Sequence, residues 1–189
     1  MTREEILSAS SMPLSSPSYP KGPYRFVDRE YLLIHYESDP DVIREMLPEP
    51  LEPDGNHVIY EWMKMLDSSG FGSYQESGIA IAALWNGTPC NFSAMMFLDD
   101  ESPTTAGREI WGFPKKIGVP NLRVVHDTLT GTLNYAEREV AMGTMGYKYQ
   151  SLAQNHDETL KGMGKLNVNL KFIPDVDGSP KIATSAWMP

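Results

Sequence analysis

The stretch Gly78-Ile-Ala-Ile-Ala-Ala-Leu-Trp-Asn-Gly-Thr-Pro-Cys-Asn-Phe-Ser-Ala-Met-Met-Phe-Leu98 decides the fold class. Gly78 to Trp85 is a continuous apolar run, which suits a strand buried on both faces. Asn86-Gly87 follows, and both residues tolerate positive φ, so the pair predicts a hairpin turn. Phe92 to Leu98 then reads as the returning strand. Outward from this hairpin the pattern continues. Tyr31 to Tyr36 and His57 to Leu66 read as strands; the latter has Val58, Tyr60, Trp62, Lys64 and Leu66 on one face and His57, Ile59, Glu61, Met63 and Met65 on the other. Leu122 to Val125, Thr128 to Tyr135 and Glu139 to Tyr149 extend the series. Lys165 to Phe172 alternates, predicting Leu166, Val168, Leu170 and Phe172 inward and Asn167, Asn169 and Lys171 outward. Many strands at near-regular spacing predict a mainly β fold, a β-rich α+β chain built as a large antiparallel β-barrel or two packed sheets.

Helices are expected to be few, short and peripheral. Thr2 with Glu5 has capping-box spacing for a helix over Arg3 to Ser8. Asp39 to Leu47 reads as a second helix, with Pro40 in its first turn, Val42, Ile43, Met46 and Leu47 on one stripe, and Pro48 ending it. Between them, three prolines in the nine residues Met12 to Pro20 predict an extended surface entry. No repeat or low-complexity block divides the 189 residues, so a single domain is expected.

Composition excludes several classes. Hydrophobic residues make up 41% and charged residues 22%, as in an ordinary globular chain. A net charge of −9 opposes nucleic acid or an anionic membrane as main partner, since both need a basic face. It does not oppose an anionic small molecule, which a local basic cluster can hold. The lone Cys90 excludes an intrachain disulfide, and the acidic N-terminus has no apolar secretory core, so a reducing cytoplasm is expected. The sequons at Asn86 and Asn91 are then expected to be unused, and Asn86-Gly87 reads as a turn. No apolar run reaches the ~20 residues of a membrane span. His35, His57, His126 and His156 show no metal spacing, and neither a P-loop nor a paired-glycine dinucleotide fingerprint is present. No metal or cofactor is expected.

One segment carries chemistry: Gly107-Arg-Glu-Ile-Trp-Gly-Phe-Pro-Lys-Lys-Ile-Gly118. Two lysines follow a proline between large apolar residues. Read alone, they are either a solvated charge pair at a turn or one buried and one wet lysine, because an extended backbone sends Lys115 and Lys116 to opposite faces. Glu61 shares a face with Ile59, Met63 and Met65, where an unpaired carboxylate is costly. It is either a functional acid or an ion pair at a sheet edge. Arg29 alone reads as surface charge.

From Leu14 to Pro180 the sequence resembles the acetoacetate decarboxylases. The resemblance rests on Gly22-Pro-Tyr-Arg-Phe26 with Arg29, on Glu61, on Tyr74-Gln-Glu-Ser-Gly78 and on Met95-Met96. It continues through Gly107-Arg-Glu109 with Pro114-Lys-Lys116, Asp127-Thr-Leu-Thr-Gly-Thr-Leu133, Thr144-Met-Gly-Tyr-Lys148 and Asp177-Gly-Ser-Pro180. It implies decarboxylation of acetoacetate, a β-keto acid, to acetone and carbon dioxide through a lysine Schiff base. Lys115 would be the nucleophile, Lys116 its cationic neighbour, and Glu76 an acid paired with Lys116. Arg29 and Glu61 would handle the substrate carboxylate or a proton. It also implies a homo-oligomer and no cofactor.

A lysine attacking a ketone must be neutral. At the unperturbed pKa of ~10.4, only about 1 lysine in 2,500 is neutral at pH 7. Two charges ~7 Å apart at an effective dielectric of ~20 repel by ~2.4 kcal/mol, under half of the ~6 kcal/mol needed. Desolvation by Trp111, Phe113, Met96 and Phe97 is therefore expected to outweigh repulsion by Lys116. Members of the family run on past the Asp-Gly-Ser-Pro turn, so the family's last strands, and part of the apolar wall, are expected to be missing. Two alternatives follow: a non-catalytic or inactive binder of the same fold, and a related Schiff-base aldolase or dehydratase.

Overall fold

In the computed structural model the described residues are 1–146, 157 and 164–188. They form three helices, α1 (Arg3–Ser8), α2 (Pro40–Met46) and α3 (Glu101–Trp111). The strands are β1 (Phe26–Glu37), β2 (Glu52–Ser68), β3 (Tyr74–Trp85), β4 (Thr88–Leu98), β5 (Lys115–Ile117), β6 (Val119–Val125), β7 (Thr128–Tyr135), β8 (Arg138–Gly146), β9 (Leu166–Pro174) and β10 (Pro180–Met188). The expected mainly β fold is observed. The last three residues of the strand expected over Glu139 to Tyr149 lie outside the described residues.

The hairpin forms as its sequence dictates. Asn86 and Gly87 take φ of 49° and 78°, and Trp85 pairs with Thr88 to close a two-residue turn. β3 is buried along most of its length on both faces. Thr2 and Glu5 make the reciprocal capping box of α1, and the Asp39 side chain accepts from the Asp41 N–H to open α2.

The strands make a seven-stranded sheet, ordered β1-β2-β3-β4-β9-β10 with β5 also on β4, and a three-stranded sheet, β6-β7-β8. Among the described residues both sheets are open, and no barrel closure is seen. Nor is the large sheet wholly antiparallel. β9 runs parallel to β4 along Cys90 to Phe92, and β5 parallel along Met96 to Leu98. The physical reason is α3, which turns the chain back after β4 so that β5 returns in the same direction.

α3 is a helix that the sequence reading did not include; within Gly107 to Gly118, extension begins only at Lys115. Its signals are ordinary ones. Asp100 accepts from the Ser102 N–H as N-cap, Pro103 sits in the first turn, and Gly112 ends the helix in the left-handed region at φ 70°. β9 brings a second correction. Val168 is buried as expected, but Asn169 is 1% exposed while Leu170 and Phe172 are 48% and 54% exposed. β9 leaves β4 after Val168 and continues against β10, and α3 covers Asn169, whose Nδ2 donates to the Trp111 carbonyl at 3.3 Å.

The two sheets are joined through Trp62. Its indole, with Leu32, Leu122 and Leu129, forms the core between them. A Cβ on Gly131 would collide with the indole, and one on Gly143 would stand 2.6 Å from Ile34 Cδ1 and 2.8 Å from Trp62 Cζ3. The ring therefore fills the volume that two glycines of the small sheet leave open. Trp62→Ala should cost about 3–5 kcal/mol of unfolding free energy, and Gly131→Ala, which overfills the slot, about 1–3 kcal/mol. Urea denaturation checks both; wild-type stability for Gly131→Ala would show that the slot has room to spare.

Candidate active site

Strand alternation sets the site. On the face of the large sheet opposite Trp62, the register places Leu33, Glu61, Gly78, Met96 and Lys115 in one row across five strands. The neighbouring row is Tyr31, Met63, Glu76 and Leu98, and beyond it lie Arg29, Met65 and Tyr74. An extra residue in β4, Ala94, stands between the pairs Ala80–Ser93 and Ile79–Met95. This bulge shifts the alternation, so that Ala94 packs with the cluster around Ile81 while Met96 joins the one around Met63. α3 covers this face, with Ala106 in the same cluster as Met63 and Met96.

Lys115 is 6% exposed and Lys116 is exposed, as the pleat of β5 requires. The Lys115 ammonium lies 3.2 Å from Glu76 Oε2, donates to the Pro103 carbonyl at 3.5 Å and stands 5.1 Å from the Phe113 ring centroid. Its backbone carbonyl accepts from Arg108 Nη1 at 3.1 Å. Lys116 instead sits over Tyr135 and Phe97, at 4.8 and 5.9 Å from their ring centroids. Glu76, 4% exposed, therefore pairs with Lys115 and not with Lys116, contrary to the sequence reading. The cause is parity: Glu76 and Lys115 share a face of the sheet, and Lys116 points away from it.

Met96 and Phe113 lie on the Lys115 side, with Trp111 packed at the margin of the same cluster. Phe97 does not. It faces the other way, its ring tilted at 57° to Tyr135 with centroids 4.9 Å apart, because it is one residue from Met96 in an extended strand. Arg29 is on the site face, its guanidinium 5.7 Å from the Tyr31 ring centroid. Glu61 joins the row across Gly78, where a Cβ would stand 3.3 Å from Glu61 Oε1 and 3.0 Å from the Met95 carbonyl oxygen. Glycine here opens the space that the carboxylate occupies.

Burial, and then the negative charge of Glu76, push the Glu61 carboxyl up to about 7, against a smaller opposing pull from Lys115. Burial and the Glu76 carboxylate also push the Tyr74 phenol up. Burial raises Tyr31 as well, with Arg29 opposing. Neither tyrosine was named as a site residue, although Tyr74 opens the Tyr74-Gln-Glu-Ser-Gly78 motif and, two residues from Glu76 in a strand, shares its face. Pro103 was missed, and Gly107 was quoted only as part of a motif, because their place beside Lys115 depends on α3. Among the described residues no group of three His, Cys, Asp or Glu side chains could hold a metal ion, and no helix is long and apolar enough to cross a membrane.

Fold and site together define a small-molecule enzyme built around a buried lysine with two acidic neighbours. The family model described as acetoacetate decarboxylase matches residues 11–188, and the chain belongs to that family. The acetoacetate decarboxylase of Acidiphilium cryptum is 51% identical over 175 residues, which are 93% of this chain and 71% of that protein. A solved acetoacetate decarboxylase superposes with a TM-score of 0.93 at 45% identity, covering 98% of this chain and 75% of the other. The Legionella pneumophila enzyme superposes at 0.88 with 41% identity, over 96% and 73%.

The raised carboxyl has a consequence for stability. Glu61 holds its proton more tightly in the folded chain than a free carboxyl, whose ordinary value is 4.5. Its protonated form therefore favours the fold, and this contribution is full below about 4.5 and lost as pH rises to about 7. Glu61→Gln should flatten the fall in unfolding free energy across that window by up to about 3 kcal/mol. Denaturant titrations at a series of pH values check this, and a parallel fall in both proteins would refute it.

Proposed function

We propose that this chain decarboxylates acetoacetate to acetone and carbon dioxide through a Schiff base on Lys115. The observation that carries the reading is the buried Lys115 ammonium, 3.2 Å from Glu76 and in register with Glu61 across Gly78. The lone pair of neutral Lys115 Nζ attacks the ketone carbon, and loss of water leaves a protonated imine. The bond to the carboxylate carbon then breaks. Carbon dioxide departs, and the two electrons move through the new carbon–carbon double bond onto the nitrogen. Protonation of the enamine at carbon and hydrolysis release acetone and free Lys115.

Each neighbour has work in this sequence. Glu76 lies close enough to take the proton that Lys115 must lose before it attacks. Glu61, whose carboxyl sits near 7, can both hold and deliver a proton at neutral pH, which suits the carbon protonation. Arg29 lies on the same face, two rows from Lys115, and supplies a positive charge for the substrate carboxylate. Lys116 is held over two aromatic rings on the far face of the sheet and takes no direct part in this sequence. A homo-oligomer belongs to this reading through the family.

Borohydride reduction in the presence of acetoacetate should trap a covalent adduct on Lys115, found by peptide mass mapping. Lys115→Ala should abolish both the adduct and carbon dioxide release, and an adduct confined to Lys116 would reverse the assignment. Glu61→Gln should lower kcat by about 10²–10⁴-fold and remove a limb of the pH–rate profile near 7. An unchanged profile would show that the proton comes from elsewhere.

A further inference from the structure

Gly107 lies inside α3, buried, four residues before the helix ends. Glycine is a poor residue for a helix interior, and no turn or cap accounts for it here, since Gly112 forms the C-terminal cap. The backbone at Gly107 is not in the left-handed region either. Space is the remaining reason. A Cβ on Gly107 would stand 2.6 Å from Lys115 Cδ, 2.8 Å from Cε and 3.2 Å from Nζ. The lysine side chain crosses α3 at the one position without a side chain, and its ammonium then reaches the Pro103 carbonyl one turn back and Glu76 on the sheet.

The same helix holds the lysine at its base. Arg108 Nη1 donates to the Lys115 carbonyl at 3.1 Å, and the Phe113 N–H donates to the Gly107 carbonyl at 3.0 Å. We infer that Gly107 is a positioning residue: it leaves the slot that aims the Lys115 amine at Glu76 and the reacting carbonyl. The inference rests on Lys115 being the nucleophile. It separates stability from chemistry, because the atoms a methyl group would displace are the far end of a flexible side chain. The fold can yield there cheaply, whereas the amine cannot move without leaving its partners.

The test uses the full chain with Gly107→Ala and, as a second variant, Gly107→Ser. Rates of borohydride trapping with acetoacetate, the trapped residue by mass mapping, kcat and KM, and thermal unfolding are measured on each. In both variants the adduct on Lys115 should form about 100-fold more slowly, as a displacement near 1 Å can cost. The loss should fall on kcat more than on KM, with the melting temperature of Gly107→Ala equal to or above that of the unsubstituted chain. An adduct on Lys115 forming at the unsubstituted rate overturns this inference alone. An adduct on another lysine in the unsubstituted chain overturns the nucleophile assignment and this inference with it. Failure of both variants to fold, or a loss of trapping that only follows the unfolded fraction, also overturns it, since the glycine would then serve the fold.

Discussion

The structure depends on Trp62 seated against Gly131 and Gly143. A fully buried indole cannot move along its strand without opening a cavity or striking a backbone, so it pins β2 against the small sheet. Because a strand sends successive side chains to opposite faces, pinning Trp62 inward on one side commits Glu61 and Met63 to the other. The contact that joins the sheets thus also determines which acid faces the site. A slip of one residue would bury Glu61 between the sheets and turn Trp62 toward α3.

The site is assembled from five strands and one helix, and no two of its acidic or basic residues are close in sequence apart from the adjacent lysines. What brings them together is register. Glu61, Gly78, Met96 and Lys115 line up because β2 to β5 pair in sequence order, with a bulge at Ala94 restoring the parity that Met96 needs. Glycine recurs where two groups approach too closely for a side chain: Gly78 beside Glu61, and Gly107 beside Lys115. These absences shape the site as much as the apolar side chains do. They also explain how a lysine and two carboxylates share a small buried volume, where charge is costly and each group perturbs the next.

Much of this was legible beforehand. The hairpin at Asn86-Gly87, the strands flanking it, the helix starts of α1 and α2 and, for an extended backbone, the divergence of Lys115 from Lys116 follow from local chemistry and a period of two. The family motifs supplied the list of site residues. The errors have a common origin. Glu76 was paired with the wrong lysine, Phe97 was placed in the wrong wall, and Leu170 and Phe172 were expected inward. The first was carried over with the family resemblance and the others were judged by residue type or by place in an alternating strand, all without knowing what covered either face. α3 was overlooked for a different reason: its apolar residues gather near its C-terminal end, so its caps were stronger signals than its periodicity.

The sequence by itself therefore determined the local conformations and their pattern: where strands run, where they turn, and that adjacent residues such as Lys115 and Lys116 diverge once extended. These are settled by dihedral preference, capping and the strict alternation of an extended chain, all of which act within a few residues. The tertiary structure alone decided that Glu76 meets Lys115, that Trp62 rather than Glu61 lies between the sheets, and that Gly107 leaves room for the lysine. Those outcomes depend on strand order, on the parallel return of β5 through α3, and on close packing between segments distant in sequence. Elementary preference cannot encode them, because each is a property of two surfaces at once.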